Sequence, residues 1–258
     1  MIFGDLLIIF RVEMEIISMV YLHRFWIREV WRVILQPGLI VSVQLFPEDP
    51  VYEDEFFRGM VKSALQEQIA GIRTESAKYV RIVREMTQLP VIGLSKDRTF
   101  EAFITPTTQH IQGIVEAGAH IIAIDCTQTS RPQPVEHLFR YIRDQFPTVE
   151  IMADISSVED AQKIHPLDPD YFATTLSGYT HYTTHVQQPD FSLIEQLIAH
   201  YPKIPIIAEG NIWTPEQAQK AMRMGAYAVT VGSAITRPWL ITRRFVHAMR
   251  DQRELNGE

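Results

Sequence analysis

The sequence predicts a (β/α)8 barrel, the TIM-barrel fold, and three observations support that prediction. From Pro37 onward, short apolar runs alternate with longer amphipathic stretches, which is the pattern of β/α units around a parallel sheet. Eight such runs occur over roughly 220 residues, a length typical of this barrel. They are short and rich in Ile, Val and Ala, as strands buried on both faces are. A doubly wound open sheet is the alternative, but no Gly-x-Gly-x-x-Gly motif follows any of the runs.

Strands and helices are predicted in strict alternation along this segment. The predicted strands are Leu39–Val43, Ala70–Arg73, Val91–Leu94, Ile121–Asp125, Glu150–Asp154, Tyr171–Thr174, Pro205–Glu209 and Ala228–Val231. The predicted helices are Asp54–Gln66, Ser76–Met86, Thr107–Ala117, Val135–Gln145, Ser157–Lys163, Ser192–His200, Thr214–Met224 and Thr236–Met249.

Capping residues support several of these helix boundaries. Ser157 and Ser192 are expected as N-caps, because each is followed by acidic residues in the first helical turn. Thr214 precedes a proline at the first helical position, which is a favoured helix start. Gly118 and Gly225 stand where a left-handed residue would end the third and seventh helices.

The composition describes an ordinary globular protein and excludes several classes. Of the 258 residues, 46% are hydrophobic and 21% are charged, which disfavours disorder. The single cysteine, Cys126, excludes a disulfide framework and a cysteine zinc site and fits a reducing, cytoplasmic compartment. A net charge of −7 argues against a nucleic-acid partner.

Residues 1–36 differ from the rest of the chain and are predicted to form an N-terminal extension ahead of the barrel domain, 37–258. This segment is apolar and aromatic, but Asp5, Arg11, Glu13 and Glu15 interrupt it. These charges disfavour a signal peptide and a membrane span, so we expect no membrane association. Short amphipathic helices that dock on the barrel or on a partner subunit are expected; the alternative is a leading segment without a defined fold.

Polar side chains stand at the ends of the predicted strands, where the active site of such a barrel lies. An isolated charge at a strand end is usually a solvated loop residue, but here seven of eight strands end in a hydrogen-bonding or ionisable side chain, and Gly232 with Ser233 follows the eighth. We therefore expect one convergent site. The residues are Gln44, Arg73, Lys96, Asp125, Asp154, Thr174 with Thr175, Glu209, and Gly232 with Ser233.

The loops after the last two strands carry a phosphate-binding pattern. Gly210 and Asn211 follow strand seven, and Gly232 and Ser233 follow strand eight. In this fold these two loops commonly hold phosphate through backbone N–H groups and a short helix. Arg237 lies close enough in sequence to reach the same anion. The alternative is that the glycines only permit tight turns.

Lys96 and Glu209 are the candidate catalytic pair. A lysine in an apolar barrel mouth loses proton affinity, so it can act as a base near neutral pH. A carboxylate opposite it can serve as the complementary acid–base group. Such a pair suits removal of a proton α to a carbonyl and its return to the other face. The alternative is a structural ion pair.

The chain resembles the N-acetylmannosamine-6-phosphate 2-epimerase family of sialic-acid catabolism, a (β/α)8-barrel family, from Pro37 to Met249. The order and spacing of the matching segments make the resemblance specific. They are Gly38-Leu-Ile-Val-Ser-Val-Gln44, Gly71-Ile-Arg73, Pro90-Val-Ile-Gly93 with Lys96, Ile104-Thr-Pro106, Asp125 and Thr127 before Arg131-Pro132, Ala153-Asp-Ile-Ser156, Thr174-Thr-Leu-Ser-Gly-Tyr-Thr180, Ile207-Ala-Glu-Gly210, Thr214-Pro-Glu-Gln-Ala218 and Val231-Gly-Ser-Ala-Ile-Thr-Arg-Pro238.

The resemblance implies inversion at C2 between N-acetylmannosamine 6-phosphate and N-acetylglucosamine 6-phosphate, with no cofactor. Lys96 matches the catalytic lysine, and Glu209 matches a carboxylate that assists ring opening or proton return. The substrate-binding residues implied or expected at the strand ends are Gln44, Arg73, Asp125, Asp154 and Thr175. The phosphate-binding residues are Gly210, Asn211, Gly232, Ser233 and Arg237.

The chain departs from the family pattern beside these matched groups. Ser95 and Asp97 replace the usual neighbours of Lys96, and Thr74 and Glu75 differ from the usual residues after Arg73. These differences bear on rate and substrate fit more than on the type of reaction.

The sequence also generates expectations about metal binding, binding partners and alternative functions. His181 and His185 have a metal-like spacing but no third ligand, so we expect no metal. The expected partner is an N-acetylhexosamine 6-phosphate, and the apolar extension with the family resemblance favours a homodimer. A pentose-phosphate epimerase or isomerase, and a catalytically degenerate sugar-phosphate-binding regulator, are the alternative functions.

Overall fold

Eight parallel strands close into a barrel in the computed structural model, which describes residues 35–255. Each strand pairs with the next along the chain, and the last strand pairs with the first. The predicted (β/α)8 barrel is confirmed. The strands are β1 (Gly38–Val43), β2 (Gly71–Glu75), β3 (Val91–Leu94), β4 (Ile121–Asp125), β5 (Glu150–Asp154), β6 (Tyr171–Ala173), β7 (Ile206–Ala208) and β8 (Ala228–Val231).

Helices follow the strands on the outside of the barrel, close to the predicted ranges. They are α1 (Asp54–Ala64), α2 (Ala77–Met86), α3 (Thr108–Glu116), α4 (Val135–Gln145), α5 (Val158–Ile164), α6 (Phe191–His200), α7 (Pro215–Met224), α8 (Ser233–Thr236) and α9 (Pro238–Leu255).

The eighth predicted helix, Thr236–Met249, is present as α9, but it begins at Pro238, two residues later than predicted. The chain forms the short helix α8, breaks at Arg237 and starts α9 at Pro238. The break has a steric cause, because a proline disfavours helical backbone at the preceding residue. Arg237 accordingly has φ −127° and ψ 76°. This break leaves Arg237 in a connection at the carboxyl end of the barrel rather than inside a helix.

The helix caps confirm two predicted starts and correct a third. The Ser157 hydroxyl accepts a hydrogen bond from the backbone of Asp160, and Thr214 forms a full capping box before α7. Ser192 is not an N-cap: the Asp190 carboxylate accepts from the Leu193 N–H instead. A carboxylate at the N-cap position satisfies an otherwise unpaired N–H and complements the helix dipole. Helix α6 therefore starts one residue before Ser192.

Side chains in the strands alternate between the barrel lumen and the helix layer. On β3, Ile92 and Leu94 belong to an inner cluster with residues of other strands, whereas Val91 packs in the outer layer against the helices. The same alternation places Arg73 and Glu75 of β2 on the inner face. Continuing each inner row past its strand end leads to the carboxyl-end mouth, which positions the polar residues described below.

Residues 1–34 lie outside the described residues, and so does nearly all of the predicted N-terminal extension. The boundary between residues 36 and 37 stays a prediction. Leu35 is fully buried, and its carbonyl accepts a hydrogen bond from the Tyr227 hydroxyl. Across residues 35–255, none of the helices is long and apolar enough to cross a bilayer.

Gly93 on β3 generates a stability prediction. An added methyl group would lie 2.5 Å from Ile114 Cγ2 and 2.8 Å from Ala119 Cβ. Gly93→Ala is therefore expected to lower the free energy of unfolding by about 1–3 kcal/mol, because a close-packed interior must move to admit it. Urea denaturation of the full chain measures the difference.

The matched control is Gly59→Ala, in the exposed middle of α1, where an added methyl group meets nothing within 4 Å. It is expected to raise stability by about 0.5–1 kcal/mol through helix propensity. Equal effects of the two substitutions would contradict the packing argument.

Candidate active site

A cavity of about 600 Å³ opens at the carboxyl ends of the strands. This volume lies within the range of small-molecule sites. Most of the predicted site residues line it, and they come from strands at opposite sides of the barrel. These lining residues are Gln44, Lys96, Thr175, Glu209, Gly210, Asn211, Gly232, Ser233 and Arg237.

A buried ion pair crosses the barrel lumen below this cavity. Arg73 of β2 and Asp154 of β5 are 1% and 0% exposed. The guanidinium donates two hydrogen bonds to the carboxylate, with Nη1–Oδ1 at 3.0 Å and Nη2–Oδ2 at 2.6 Å. Thr175 Oγ1 donates to the same Oδ1 at 2.7 Å. Sequence predicted both charged residues as substrate contacts, and the structure places them beneath the cavity lining, bound to each other.

Glu209 extends this charge group upward into the cavity. Its Oε2 atom lies 3.3 Å from Arg73 Nη1, and this ion-pair contact lacks hydrogen-bond geometry. The Thr174 hydroxyl accepts from the Glu209 N–H and donates to the Glu209 carbonyl, which fixes the strand end. Burial raises the pKa of Glu209, while the positive charge of Arg73 opposes that rise. Glu209 thus holds a proton more readily than an exposed glutamate does, and Arg73 limits this effect.

Lys96 lies at the mouth of the same cavity. Burial, aided by the positive charges of Arg73 and Arg98, lowers its pKa to about 8. The carboxylates of Glu75 and Glu209 act in the opposite direction. A lysine with this pKa has a substantial neutral fraction near physiological pH, so its amine can accept a proton.

Phe46 forms an aromatic centre of the mouth that the sequence did not predict. Its ring centroid lies 4.8 Å from Lys96 Nζ, 5.4 Å from the Arg98 guanidinium carbon and 5.2 Å from that of Arg237. These distances are in the range of cation–π contacts. Three cations therefore converge on one ring. The sequence offered only a weak signal for this cluster, because Phe46 and Arg98 both lie in loops beyond a strand end.

Both glycine loops border the cavity. Gly210 has φ 115° and Asn211 φ 52°, so the chain turns sharply after β7 in the left-handed region. The Asn211 amide donates to the Tyr179 hydroxyl at 3.1 Å. Gly232 lies against Ser42 of β1, where an added Cβ would be 3.3 Å from the serine Cβ. Helix α8 begins immediately after Gly232, and its first amides have no partner within the helix.

Asp125, which the sequence predicts to bind substrate, contacts a neighbouring loop instead of lining the cavity. Its Oδ1 accepts hydrogen bonds from the N–H and the hydroxyl of Thr127, at 3.0 and 2.6 Å. Arg131 donates to the Asp125 carbonyl and lies 3.7 Å from its carboxylate. Burial raises the pKa of Asp125 to about 6. The side chain holds the loop after β4 and does not line the cavity.

Two further residues of the wall, Ser42 and Thr230, were not predicted from the sequence. Ser42 and Thr230 occupy inner positions two residues before Gln44 and Gly232, so the alternation of the strands was a usable signal. The Thr230 hydroxyl is buried beside the Glu209 carboxyl group, and its interaction with that group lowers the pKa of Glu209. Tyr179 lines the cavity and is 61% exposed.

The two histidines with metal-like spacing form no metal site with the residues around them. Within residues 35–255, no group of three or more His, Cys, Asp and Glu side chains is arranged to hold a metal ion.

The fold and this site define a class of protein: a (β/α)8 barrel whose carboxyl-end mouth holds a lysine and a glutamate in one cavity with two glycine-containing loops. A family model described as "Putative N-acetylmannosamine-6-phosphate epimerase" matches residues 57–251. The chain belongs to this N-acetylmannosamine-6-phosphate epimerase family. The match includes every predicted site residue except Gln44.

Curated relatives agree with this assignment. The chain is 41% identical over 226 residues to a protein of Caldanaerobacter subterraneus subsp. tengcongensis, covering 86% of this chain and 95% of the relative. It is 40% identical over 224 residues to one of Staphylococcus haemolyticus, covering 84% of this chain and 100% of the relative. Both relatives carry the name "Putative N-acetylmannosamine-6-phosphate 2-epimerase".

Solved structures also resemble the chain. The N-acetylmannosamine-6-phosphate 2-epimerase from Clostridium perfringens superposes with a TM-score of 0.78 at 36% identity, covering 83% of this chain and 94% of that one. A thiamine phosphate pyrophosphorylase from Pyrococcus furiosus, at 14% identity and a TM-score of 0.52, shares the fold alone.

The Arg73–Asp154 pair generates a stability prediction. Asp154→Ala removes the main partner of a buried cation, and such a loss costs about 3–5 kcal/mol in the free energy of unfolding. We expect the lower part of that range, because Glu209 still faces Arg73 at 3.3 Å. Urea denaturation measures the loss.

An exposed ion pair of similar length supplies the control. Arg58 and Glu85 are joined at 3.0 Å on the surface. Glu85→Ala is expected to change stability by less than about 1 kcal/mol, since water screens this pair. A loss for Asp154→Ala as small as that for Glu85→Ala would overturn the structural role given to the buried pair.

Proposed function

We propose that this protein interconverts N-acetylmannosamine 6-phosphate and N-acetylglucosamine 6-phosphate by moving the proton at C2. One observation carries the proposal: a lysine with a lowered pKa and a carboxylate with a raised pKa share one cavity with two glycine loops. Family membership supports the substrate class.

The chemistry at C2 follows from opening of the pyranose ring. Opening produces an aldehyde at C1, and the C2 proton becomes acidic because the electron pair left at C2 can move onto the C1 oxygen. The neutral amine of Lys96 accepts that proton and becomes an ammonium group. Return of a proton to the opposite face of C2 gives the epimer and restores the aldehyde, so no redox step occurs.

Glu209 is proposed as the second acid–base group. Burial raises its pKa, so its carboxyl group gains a proton more readily than an exposed glutamate does. In that form it can protonate the ring oxygen during opening or return a proton to C2. Arg73 lies 3.3 Å from Glu209 Oε2 and stabilises its ionised form once the proton has left.

The sugar-binding residues fall into two groups by position. Gln44 and Thr175 line the cavity, and we assign them contacts to the hydroxyl and acetamido groups. Asp154 and Arg73 lie beneath the lining and hold Thr175 and Glu209 in place. Asp125, which orders the loop after β4, is assigned an indirect role in substrate binding.

The phosphate is proposed to bind between the two glycine loops. Gly210, Asn211, Gly232 and Ser233 line the cavity, and we assign their backbone N–H groups to the phosphate oxygens. Arg237 stands beside them and is only weakly engaged by Asp49, at 3.8 Å. A phosphate held there contributes binding energy that orients the reacting carbons.

The experiment that tests this function is proton exchange at C2. Incubation of the full chain with N-acetylmannosamine 6-phosphate in D₂O, followed by NMR, should show deuterium entering C2 as the other epimer appears. Lys96→Ala removes the base and is expected to abolish exchange, a loss of at least about 10³-fold. The variant should still bind inorganic phosphate about as well as the wild-type protein does.

Lys203→Ala, which changes an exposed lysine in a turn, is the matched control and should exchange at the wild-type rate. Binding of the substrate by folded wild-type protein without exchange would contradict the proposal and favour a non-catalytic sugar-phosphate-binding protein. Full activity of Lys96→Ala would remove Lys96 from the mechanism.

We also propose that the protein forms a homodimer through α9. Every residue from Thr242 to Arg250 on this helix is exposed. Phe245 and Met249 are 68% and 66% exposed and lie one turn apart on one face, with Val246 beside them. An apolar stripe of this kind is typical of a helix that packs against another subunit.

Phe245→Asp combined with Met249→Asp is expected to convert the dimer into monomer, because each charge would be desolvated in the interface. Sedimentation velocity of the full chain measures the mass. His247→Asp adds a charge to the opposite side of α9 and should leave the dimer intact. A monomeric wild-type protein at tens of micromolar would overturn the proposal.

A further inference from the structure

We propose that Glu75 is a positioning residue for Lys96, and that the positive charge of Arg98 opposes the effect of Glu75 on the charge of Lys96. This inference rests on the proposed role of Lys96 as the base. Glu75 is the last residue of β2 and lies on the same inner face as Arg73. Its Oε1 accepts a hydrogen bond from the Lys96 N–H at 3.4 Å. Arg98 follows Lys96 by two residues and shares the Phe46 ring with it.

The backbone carries Glu75 to this place through an extension of β2. The sequence predicts a strand that ends at Arg73, but Thr74 and Glu75 continue the pairing, opposite Gly93 and Leu94 of β3. Ser76 then turns the chain with φ 71°, a left-handed conformation unusual for serine. This turn directs the chain into α2 while Glu75 stays at the mouth, beside the loop that bears Lys96.

Glu75 completes a two-sided support of the Lys96 backbone. On one side, Lys96 pairs with Ile104 in an antiparallel bridge. The Thr105 N–H donates to the Ser95 carbonyl at 2.6 Å, and the Ser95 N–H donates to the Thr105 hydroxyl at 3.2 Å. On the other side, the Glu75 carboxylate holds the Lys96 N–H. The position of the lysine is thus fixed between β2 and the loop that returns after β3.

The same carboxylate acts on the charge of Lys96. Glu75 raises the pKa of Lys96, whereas burial, Arg73 and Arg98 lower it. Lys96 and Arg98 in turn lower the pKa of Glu75, which burial raises. Glu75 and Arg98 therefore push the pKa of Lys96 in opposite directions. The charged groups around Lys96 and the Phe46 ring are Arg73, Glu75, Arg98, Glu209, Arg237, Glu48 and Asp49.

The sign of each effect on the reaction follows from these charges. Without the negative charge of Glu75, Lys96 loses its proton at lower pH and becomes a weaker base. Without the positive charge of Arg98, Lys96 keeps its proton to higher pH. Since kcat/KM reports the free enzyme, its rise with pH should follow the titration of Lys96.

Two measurements on the full chain test the inference, and the first needs no substrate. NMR of ¹³C-labelled lysine follows the titration of Lys96, whose signal is identified by its loss in Lys96→Arg. Glu75→Gln is expected to move the Lys96 titration midpoint to lower pH by about one pH unit, and Arg98→Gln to higher pH by a similar amount. Glu67→Gln, the same change at an exposed position remote from the mouth, should leave it unmoved.

The second measurement is the pH dependence of kcat/KM for C2 exchange, which should move in the same directions. Glu75→Asp keeps the negative charge, but its shorter side chain cannot reach the Lys96 N–H. Compared with Glu75→Gln, it should return the Lys96 titration midpoint towards the wild-type value, while kcat remains below that of the wild type. Arg98 is 65% exposed and outside the core, so Arg98→Gln tests the charge effect even where a Glu75 variant fails to fold.

The outcomes separate the two proposals. Lysine titrations that coincide in wild type, Glu75→Gln and Arg98→Gln overturn the inference about Glu75, whatever the activity. A wild-type protein that catalyses no exchange overturns the proposed function, while the titrations still decide whether Glu75 sets the charge of Lys96. Shifted titrations with an unshifted rate profile contradict the link between Lys96 and the rate.

Discussion

The rest of the site depends on one interaction, the buried ion pair that Arg73 and Asp154 form across the barrel lumen. A guanidinium that is 1% exposed is tolerated only where carboxylates surround it. Asp154 accepts two hydrogen bonds from the guanidinium, and Glu209 makes a third contact with it at 3.3 Å. The pair therefore joins β2, β5 and the end of β7. The positive charge of Arg73 also lowers the pKa of Lys96 and of Glu209, so the arginine that joins these strands adjusts the proton affinity of both groups.

Much of this arrangement could be predicted from the sequence, because strand alternation fixes which side chains enter the lumen. Residues two apart on one strand share a face, so an inner apolar row that ends in Lys96 or Glu209 leads those groups to the mouth. The strand β4 (Ile121–Asp125) and the strand β5 (Glu150–Asp154) match the predicted ranges, since their apolar runs end abruptly at a carboxylate. For these strands, the local sequence pattern alone was sufficient to predict where each strand ends.

Pairwise contacts between distant segments could not be predicted in this way. The extension of β2 to Glu75 depends on register with β3, because Thr74 and Glu75 are polar and gave no strand signal of their own. Asp125 has the same strand-end position as Asp154, but Thr127 and Arg131 engage it, and nothing in the strand pattern distinguishes the two carboxylates. The clustering of cations at Phe46 likewise arises from loops whose paths follow from tertiary packing.

The geometry of the arginines separates structural cations from those available to an anionic ligand. Arg73 is buried and bound to Asp154 at 2.6 Å, so a ligand could claim it only by breaking a pair that the interior requires. Arg237 and Arg98 lie 3.8 and 3.9 Å from Asp49 and Glu48 and retain exposure, so both cations would be free to turn towards an anionic ligand. A net charge of −7 therefore does not exclude an anionic ligand at this mouth, because the contacts of these two cations with their nearest carboxylates are long.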